Sequence, residues 1–139
     1  MSRRTAHNPF GELLGLTGAR SAAGRSRCHF AVRPELLNPH RVLHGGVMFS
    51  VMDTNMGDAL YTLLDKGESC ATIEIKINYL KPVADGRLVC TTRVVQRGRR
   101  VAVIESELRR GRTLVAKALG TFAIFSRLPA PDRPGNPEA

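Results

Sequence analysis

The chain has 139 residues and a mass of 15.2 kDa, which is enough for one globular domain and too little for two independent cores. Its hydrophobic content of 42% and charged content of 24% argue against collagen-like, disordered and membrane-embedded classes. The net charge is +9 and 17 of the 21 basic residues are arginine, so the composition suits an anionic ligand or partner. Because the arginines are scattered along the chain, they do not identify that ligand.

The three cysteines, Cys28, Cys70 and Cys90, form no CxxC pair and have no histidine at metal-ligand spacing. This pattern is typical of reduced thiols within or beside strands. Residues 1–10 lack the apolar run of a secretory signal, and no window approaches the roughly 18 apolar residues of a membrane span. We therefore expect a cytoplasmic protein with no metal site and no cofactor.

Both ends of the chain are predicted to be flexible tails. Residues 1–7 show no periodicity, and residues 128–139 hold four prolines and a glycine, which disfavour a packed element. The sequence also contains no internal repeat. We therefore expect one folded domain over residues 8–127.

The first predicted elements are short. Asn8 and Pro9 form an N-cap and first-turn pair, and the apolar stripe that follows predicts a short helix ending near Gly15. Small residues and glycines then weaken the pattern. Two short strands are predicted between residues 16 and 32, the better of them over 25–32.

Residues 45–64 carry the one long helical pattern. An apolar stripe runs through them without a proline, formed by Met48, Met52, Met56, Ala59 and Leu63. About 20 residues at a rise of about 1.5 Å give a rod of about 30 Å, which crosses a small domain. We expect the methionines to pack in a core against a sheet.

The second half supplies that sheet. Residues 71–80 alternate apolar positions such as Ile73 with polar positions such as Thr72 and Glu74, which is the period of a half-buried strand. Turn signals separate three further strands, over residues 87–95, 101–108 and 113–125. Four successive strands predict an antiparallel meander. The fold class is therefore α+β, with one central helix packed on a curved antiparallel sheet.

The candidate chemistry lies in residues 38–53, NPHRVLHGGVMFSVMD. Gly45 and Gly46, which follow His44, lie where a loop becomes the long helix. Glycines let a backbone approach a ligand closely, and first-turn amides are unpaired donors beside the positive end of the helix dipole. The position suits a developing oxyanion. A tight turn would also explain the two glycines.

Asp53 follows His44 by nine residues, in the middle of the apolar helix. A carboxylate buried there would be costly without a partner, and desolvation would make it a stronger general base. Alternatively, Asp53 lies on a solvated face with Ser50 and Gly57. The residues alone leave both readings open, and Asp58 is a weaker candidate because it lies another turn away from the glycine amides.

The chain resembles the hotdog-fold acyl-CoA thioesterases of the phenylacetic-acid-degradation (PaaI-like) subfamily. The resemblance rests on Asn38, the His-Gly-Gly triplet, Asp53, the strand TIEIKINYLKP that starts at Thr72, and the triplet at residues 120–122, and it extends over residues 8–125. It implies a hotdog fold, in which a curved antiparallel sheet wraps around one long helix. It also implies hydrolysis of an aromatic or medium-chain acyl-CoA to free acid and coenzyme A, without metal or cofactor.

The resemblance further implies catalytic roles. Asn38 would hydrogen-bond the active-site loop or a catalytic water, and Gly45 or Gly46 would donate a backbone N–H to the thioester carbonyl. Asp53 would act as general base or as nucleophile. Thr72 would be the strand hydroxyl that comes from the opposite subunit and positions the attacking water.

Substrate binding would fall to the loop and to arginines. His44 would shape the loop and orient the substrate, with Gly46 beside it. Arg99 and Arg100, in one hairpin turn, could grip the phosphates of coenzyme A, since guanidinium groups suit phosphate. Arg41 is a second candidate for that role. For these arginines a solvated turn is the alternative.

The resemblance implies a homodimer with a continuous sheet, paired again into a tetramer, with the carboxylates at the dimer interface. The alternative function is a hotdog module that binds acyl-CoA without hydrolysing it. Nucleic-acid binding rests only on the basic charge, since aromatic residues make up 5% and tryptophan is absent. No nucleic-acid or membrane partner is therefore expected. A hotdog dehydratase would need an aspartate and a histidine in one short motif after the central helix, which the sequence lacks.

Overall fold

The computed structural model describes residues 8–127, so both predicted tails lie outside the described residues. Its elements are, in chain order, α1 (Pro9–Leu14), β1 (Thr17–Ala22), β2 (Arg25–Ala31), a 3₁₀ turn (Pro34–Leu36), α2 (Gly45–Tyr61), β3 (Glu68–Tyr79), β4 (Arg87–Arg97), β5 (Val101–Arg110) and β6 (Thr113–Ser126). The Asn8 side chain accepts a hydrogen bond from the Gly11 N–H, and Gly15 ends α1 with a φ of +78°, as the sequence predicts.

The strands form one antiparallel six-stranded sheet in the order β1-β2-β4-β5-β6-β3, with α2 packed against it. This confirms the α+β prediction of a sheet around one long helix. The predicted four-strand meander is wrong, because β3 pairs with β6 and not with β4. The seven residues 80–86 between β3 and β4 contain Pro82, and the Leu43 N–H donates to the Val83 carbonyl in this segment. The segment is thus a crossing connection rather than a tight turn, and it leaves β3 at an edge of the sheet.

The core lies between α2 and the sheet. Met48, Met52 and Met56 are almost completely buried, which confirms the predicted packing of the methionine stripe. Gly120 on β6 makes room for this stripe, since a Cβ there would lie 2.9 Å from the Met56 Sδ. Leu63 was placed on the stripe but lies beyond the end of α2 and is half-exposed. No helix within residues 8–127 is long and apolar enough to cross a membrane.

A buried polar cluster ties α2 to the sheet, and the sequence did not predict it. Asn55 is fully buried; its Nδ2 donates to the Thr92 Oγ1 at 2.8 Å, and its Oδ1 accepts from the Ser26 Oγ at 2.7 Å. Cys28 and Cys90 face each other across β2 and β4 beside this cluster, and both are free thiols. The contact with Cys90, together with burial, holds the pKa of Cys28 above its ordinary value. Asn55 therefore fixes the position of α2 through bonds to two strands.

A β-bulge interrupts β3. Thr72 pairs with Phe122 and Glu74 pairs with Thr121, so Ile73 has no partner on β6. The extra residue reverses the alternation on its N-terminal side and turns Thr72 toward α2, while Ile73 is 57% exposed. The expectation of regular alternation, with Ile73 on the buried side and Thr72 beside Glu74, is therefore wrong.

Candidate active site

Asn38 organises the loop that precedes α2. Its Oδ1 accepts from the N–H of His40 at 2.9 Å and from the N–H of Val42 at 3.4 Å, and its own N–H donates to the Val42 carbonyl at 2.8 Å. Arg41 adopts a φ of +62° in this tight loop. The Asn38 side chain thus hydrogen-bonds the loop, and its predicted role in catalysis stays a prediction.

His44 is the N-cap of α2. Its Nδ1 accepts a hydrogen bond from the Gly46 N–H at 2.8 Å, so Nδ1 carries a lone pair and the proton of the neutral ring is on Nε2. The Gly46 amide is thereby engaged, and the Val47 N–H donates to the His44 carbonyl. The Gly45 N–H has no acceptor among residues 8–127. Between the two glycines, Gly45 offers the free donor that an oxyanion needs.

Tyr79, the last residue of β3, holds this end of α2, and the sequence did not single it out for the site. Its hydroxyl donates to the Gly45 carbonyl at 2.8 Å. A Cβ at Gly45 would lie 2.9 Å from the Tyr79 Cζ, so a side chain there would collide with the ring. Gly45 is thus required by a close approach of an aromatic ring. The available sequence signal was an aromatic residue with a hydroxyl at the end of the strand that carries Thr72.

Asp53 lies on the half-exposed side of α2 with Ser50 and Gly57, as one of the two readings proposed. It is nevertheless held, because the Thr72 Oγ1 donates to the Asp53 Oδ1 at 2.7 Å. This bond forms within one chain, and the bulge at Ile73 turns Thr72 toward the chain's own helix. The contribution of Thr72 to the site of the opposite subunit stays a prediction. The second carboxylate oxygen, Oδ2, has no hydrogen-bond donor among residues 8–127.

Side-chain hydrogen bonds join α2 to β3 at three places. The Tyr79 bond to Gly45 lies at the start of α2, the Thr72 bond to Asp53 near its middle, and a contact of 3.1 Å between the Tyr61 and Ser69 hydroxyls at its end. One strand therefore positions both the free amide of Gly45 and the carboxylate of Asp53.

The free amide and the carboxylate are well separated in one chain. Gly45 and Asp53 are eight residues apart on α2, which corresponds to about 12 Å along the helix axis. A general base and an oxyanion donor must each lie about 3 Å from atoms of the same reacting group. The two groups of one chain are thus poorly spaced to act on one carbonyl.

Arg99 and Arg100 lie in the turn between β4 and β5, at the end of the sheet near the C-terminus of α2. The Gly24 N–H donates to the Thr62 Oγ1 just after α2, and the Val94 N–H donates to the Gly24 carbonyl. The two arginines are therefore far from Gly45 in the same chain. Of the arginines considered, Arg41 is the one near the start of α2.

Two further titratable side chains lie along α2 and β3. Asp58 is half-buried, and burial raises its pKa to about 6, with no hydrogen bond or ion pair to the other described residues. Burial also raises the pKa of the Cys70 thiol, and the nearby Asp53 carboxylate adds to the effect. Within the described part of the chain, no group of three or more histidine, cysteine, aspartate or glutamate residues is placed to hold a metal ion.

Comparisons with known proteins place this geometry in context. Residues 40–117 match the family model described as the thioesterase superfamily. A conserved protein of known structure from Pseudomonas aeruginosa is 39% identical, with a TM-score of 0.82 over 86% of this chain and 95% of the other. A mutant of the phenylacetic acid degradation protein PaaI from Thermus thermophilus is 28% identical, with a TM-score of 0.78 over 87% of this chain and 100% of the other. The medium/long-chain acyl-CoA thioesterase YigI of Salmonella typhimurium is 27% identical over 85% of this chain and 86% of its own length.

Proposed function

Because this chain belongs to the thioesterase superfamily, we propose that its reaction is the hydrolysis of an acyl-CoA to a free acid and coenzyme A, with Asp53 as the general base. The matches confirm the PaaI-like resemblance and the assignment as a thioester hydrolase. The bond from Thr72 to Asp53 carries the proposal, since it orients one carboxylate oxygen and leaves the other for water. The name of YigI supports an acyl-CoA substrate and that of PaaI a link to an aromatic acid, and we propose an aromatic or medium-chain acyl group.

In the proposed reaction, Asp53 takes a proton from water while the water oxygen bonds to the thioester carbonyl carbon. A Gly45 N–H donates to the resulting oxyanion. The carbon–sulfur bond then breaks, and the proton held by Asp53 passes to the departing thiolate. His44 supports this arrangement by capping the helix, and Tyr79 by fixing the Gly45 carbonyl. Nucleophilic attack by Asp53 is the alternative, and an acyl adduct on Asp53 in quenched single turnovers would favour it.

We further propose that the complete site combines two chains, with Asp53 and Thr72 from one protomer and the Gly45 amide and Asn38 loop from its partner. The spacing of about 12 Å between Gly45 and Asp53 on one helix supports this division. Among residues 8–127 the outer edge of β3 has no partner strand, and Ile73 in β3 and Leu80 just after it are exposed, so this edge can pair with a second copy across a two-fold axis. A homodimer of this kind, or a tetramer of two such dimers, would hold equivalent sites.

Thiol release from a panel of acyl-CoAs tests the activity. We expect Asp53→Asn to lower kcat by about 10² or more, the scale of a lost general base, with folding unchanged. Asp58→Asn is the matched control, because it removes a carboxylate five residues further along the same helix. Equal turnover by the wild type and Asp53→Asn would remove Asp53 from the mechanism. Binding of acyl-CoA without turnover by the wild type would instead support the non-catalytic module.

Mixing two variants that are each expected to be inactive tests whether one site takes its amide and its carboxylate from different chains. Gly45→Pro removes the amide proton at the first helical position, where proline is tolerated, and also displaces the Tyr79 ring. If each site takes its amide and its carboxylate from different chains, unfolding and refolding Gly45→Pro with Asp53→Asn restores about a quarter of the wild-type activity, since half of the dimers are mixed and each has one intact site. No recovery in verified mixed dimers would contradict the shared site.

A further inference from the structure

Three arginines gather on the face of the sheet that points away from α2. Arg20 on β1 and Arg27 on β2 are directly paired, and Arg25 lies two residues before Arg27 on the same face. Ser26 and Cys28, which alternate with them, are buried against α2. The side chains of Arg20, Arg25 and Arg27, hereafter the arginine cluster, therefore share one small area.

This cluster has no counter-charge in the described part of the chain, in contrast to two other arginines of the sheet. Arg93 on β4 pairs with Glu105 at 2.5 Å, and Arg109 on β5 pairs with Glu107 at 3.0 Å. No carboxylate within residues 8–127 forms an ion pair with Arg20, Arg25 or Arg27. Like charges directly opposite one another on neighbouring strands destabilise a sheet. A bound anion would remove this cost.

The same three residues line a cavity. Its volume is about 700 Å³, and the Thr91 side chain, opposite Arg27 on β4, joins the cluster in its wall. That volume lies within the range of about 300–1,000 Å³ found for small-molecule sites. Guanidinium groups bind phosphate through paired N–H donors, and hydroxyl groups add further hydrogen bonds. Position, charge and shape therefore all favour a small, multiply charged anion.

We propose that the arginine cluster binds the diphosphate group of a small ligand. The site is separate from the carboxylate and amide of the thioesterase site, because the cluster lies on the opposite face of the sheet from α2. Two kinds of ligand carry the required group, a free nucleoside diphosphate and coenzyme A. The proposal does not depend on the hydrolytic activity.

His29 provides a reporter beside the cluster. It follows Arg27 on the same face of β2, and its ring packs over Gly18. Desolvation, Arg87 and Arg27 lower the pKa of His29 below its ordinary value. An anion bound between the arginines would offset their charge, so it would raise the pKa of His29.

Calorimetric titration with inorganic pyrophosphate at low ionic strength tests the site, together with NMR titration of the His29 imidazole. We expect saturable binding to the full chain, a rise in the His29 pKa on saturation, and at least tenfold weaker binding in Arg20→Ala and Arg27→Ala. Arg112→Ala is the control, because it removes the same charge from an exposed turn between β5 and β6. It should leave the affinity within about twofold.

Three results would overturn the proposal: no saturation at millimolar pyrophosphate, equal losses in Arg112→Ala and Arg27→Ala, or sulfate binding as tightly as pyrophosphate at equal ionic strength. Titrations with ADP and with coenzyme A then separate the two sources. Competition of ADP with pyrophosphate identifies a nucleoside diphosphate, whereas competition by coenzyme A alone identifies the thioester substrate or its product. Failure of both compounds to compete would also overturn it.

Discussion

Replacing Tyr79 by phenylalanine removes one hydrogen bond from the start of α2 and keeps the ring. The lost bond, from the hydroxyl to the Gly45 carbonyl, is 2.8 Å long and half-exposed, so it contributes about 1 kcal/mol. If it holds the Gly45 amide in place for the transition state, that energy corresponds to an about fivefold lower kcat. We expect KM to change little, because the ring and the rest of the site remain.

Steady-state thiol release with kcat and KM determined separately measures this effect. Tyr61→Phe is a matched control, since Tyr61 bonds to Ser69 at the other end of the same helix. We expect Tyr61→Phe to leave kcat unchanged. Equal kcat values for both variants and the wild type would refute a positioning role for Tyr79, while activity of the wild type would leave the thioesterase assignment standing.

A double-mutant cycle tests the same contact from the glycine side. In Gly45→Ala the new Cβ would lie 2.9 Å from the Tyr79 Cζ, so the ring must move and its hydrogen bond is lost. In a Tyr79→Ala background there is no ring to displace. We therefore expect Gly45→Ala to lower kcat markedly less in that background, with a coupling energy of about 1 kcal/mol. Additive effects would show that Tyr79 and Gly45 act independently.

Three further predictions concern α2 and its partners. Thr72→Val should lower kcat about tenfold, because the Asp53 carboxylate loses its hydrogen bond, whereas Thr72→Ser should retain most of the activity; equal kinetics of the two variants would contradict this. The pKa of Asp58 is raised by burial to about 6, so the folded state binds the proton more tightly than the unfolded state and stability falls as the pH rises from about 4 to about 6. Urea unfolding should show this slope in the wild type and a smaller one in Asp58→Asn, and identical slopes would contradict it. Asn55→Ala should lower the free energy of unfolding by about 3 kcal/mol, since it leaves a cavity and removes the buried hydrogen bonds that join α2 to Ser26 and Thr92; a loss below about 1 kcal/mol would contradict it.

The parts of the fold that depend on local pattern were predictable from the sequence. The methionine stripe gave the long helix and its buried face, although the helix ends at Tyr61 rather than at residue 64. The pairing of β3 with β6 could not be predicted in the same way, because sequence neighbours usually pair and no local signal opposes that assumption. Pro82 could be read from the sequence, but the sequence does not show that the segment containing it crosses the sheet instead of forming a tight turn.

The candidate site also contains residues that local sequence pattern predicts and residues that it does not. Asn38, His44, Gly45 and Asp53 lie within 16 consecutive residues, so their spacing alone indicated a loop and the first turns of a helix. The partners of these residues on β3 come from a distant part of the chain. The sequence 72–80 alternates so regularly that it hides the bulge, and with it the orientation of Thr72. The role of Tyr79 could not be predicted either, since only the folded chain brings its hydroxyl to the Gly45 carbonyl.

The unpaired residue in β3 makes the carboxylate's hydrogen bond depend on the pairing register as well as on residue type. Deleting Ile73 would restore an unbroken ladder with β6 and would leave Thr72 opposite Phe122 and Glu74 opposite Thr121, so the Thr72 hydroxyl would still face α2. A homologue of the same strand length with a regular ladder would instead turn this hydroxyl away from α2. Such a homologue could conserve both Asp and Thr in an alignment and still lack their contact.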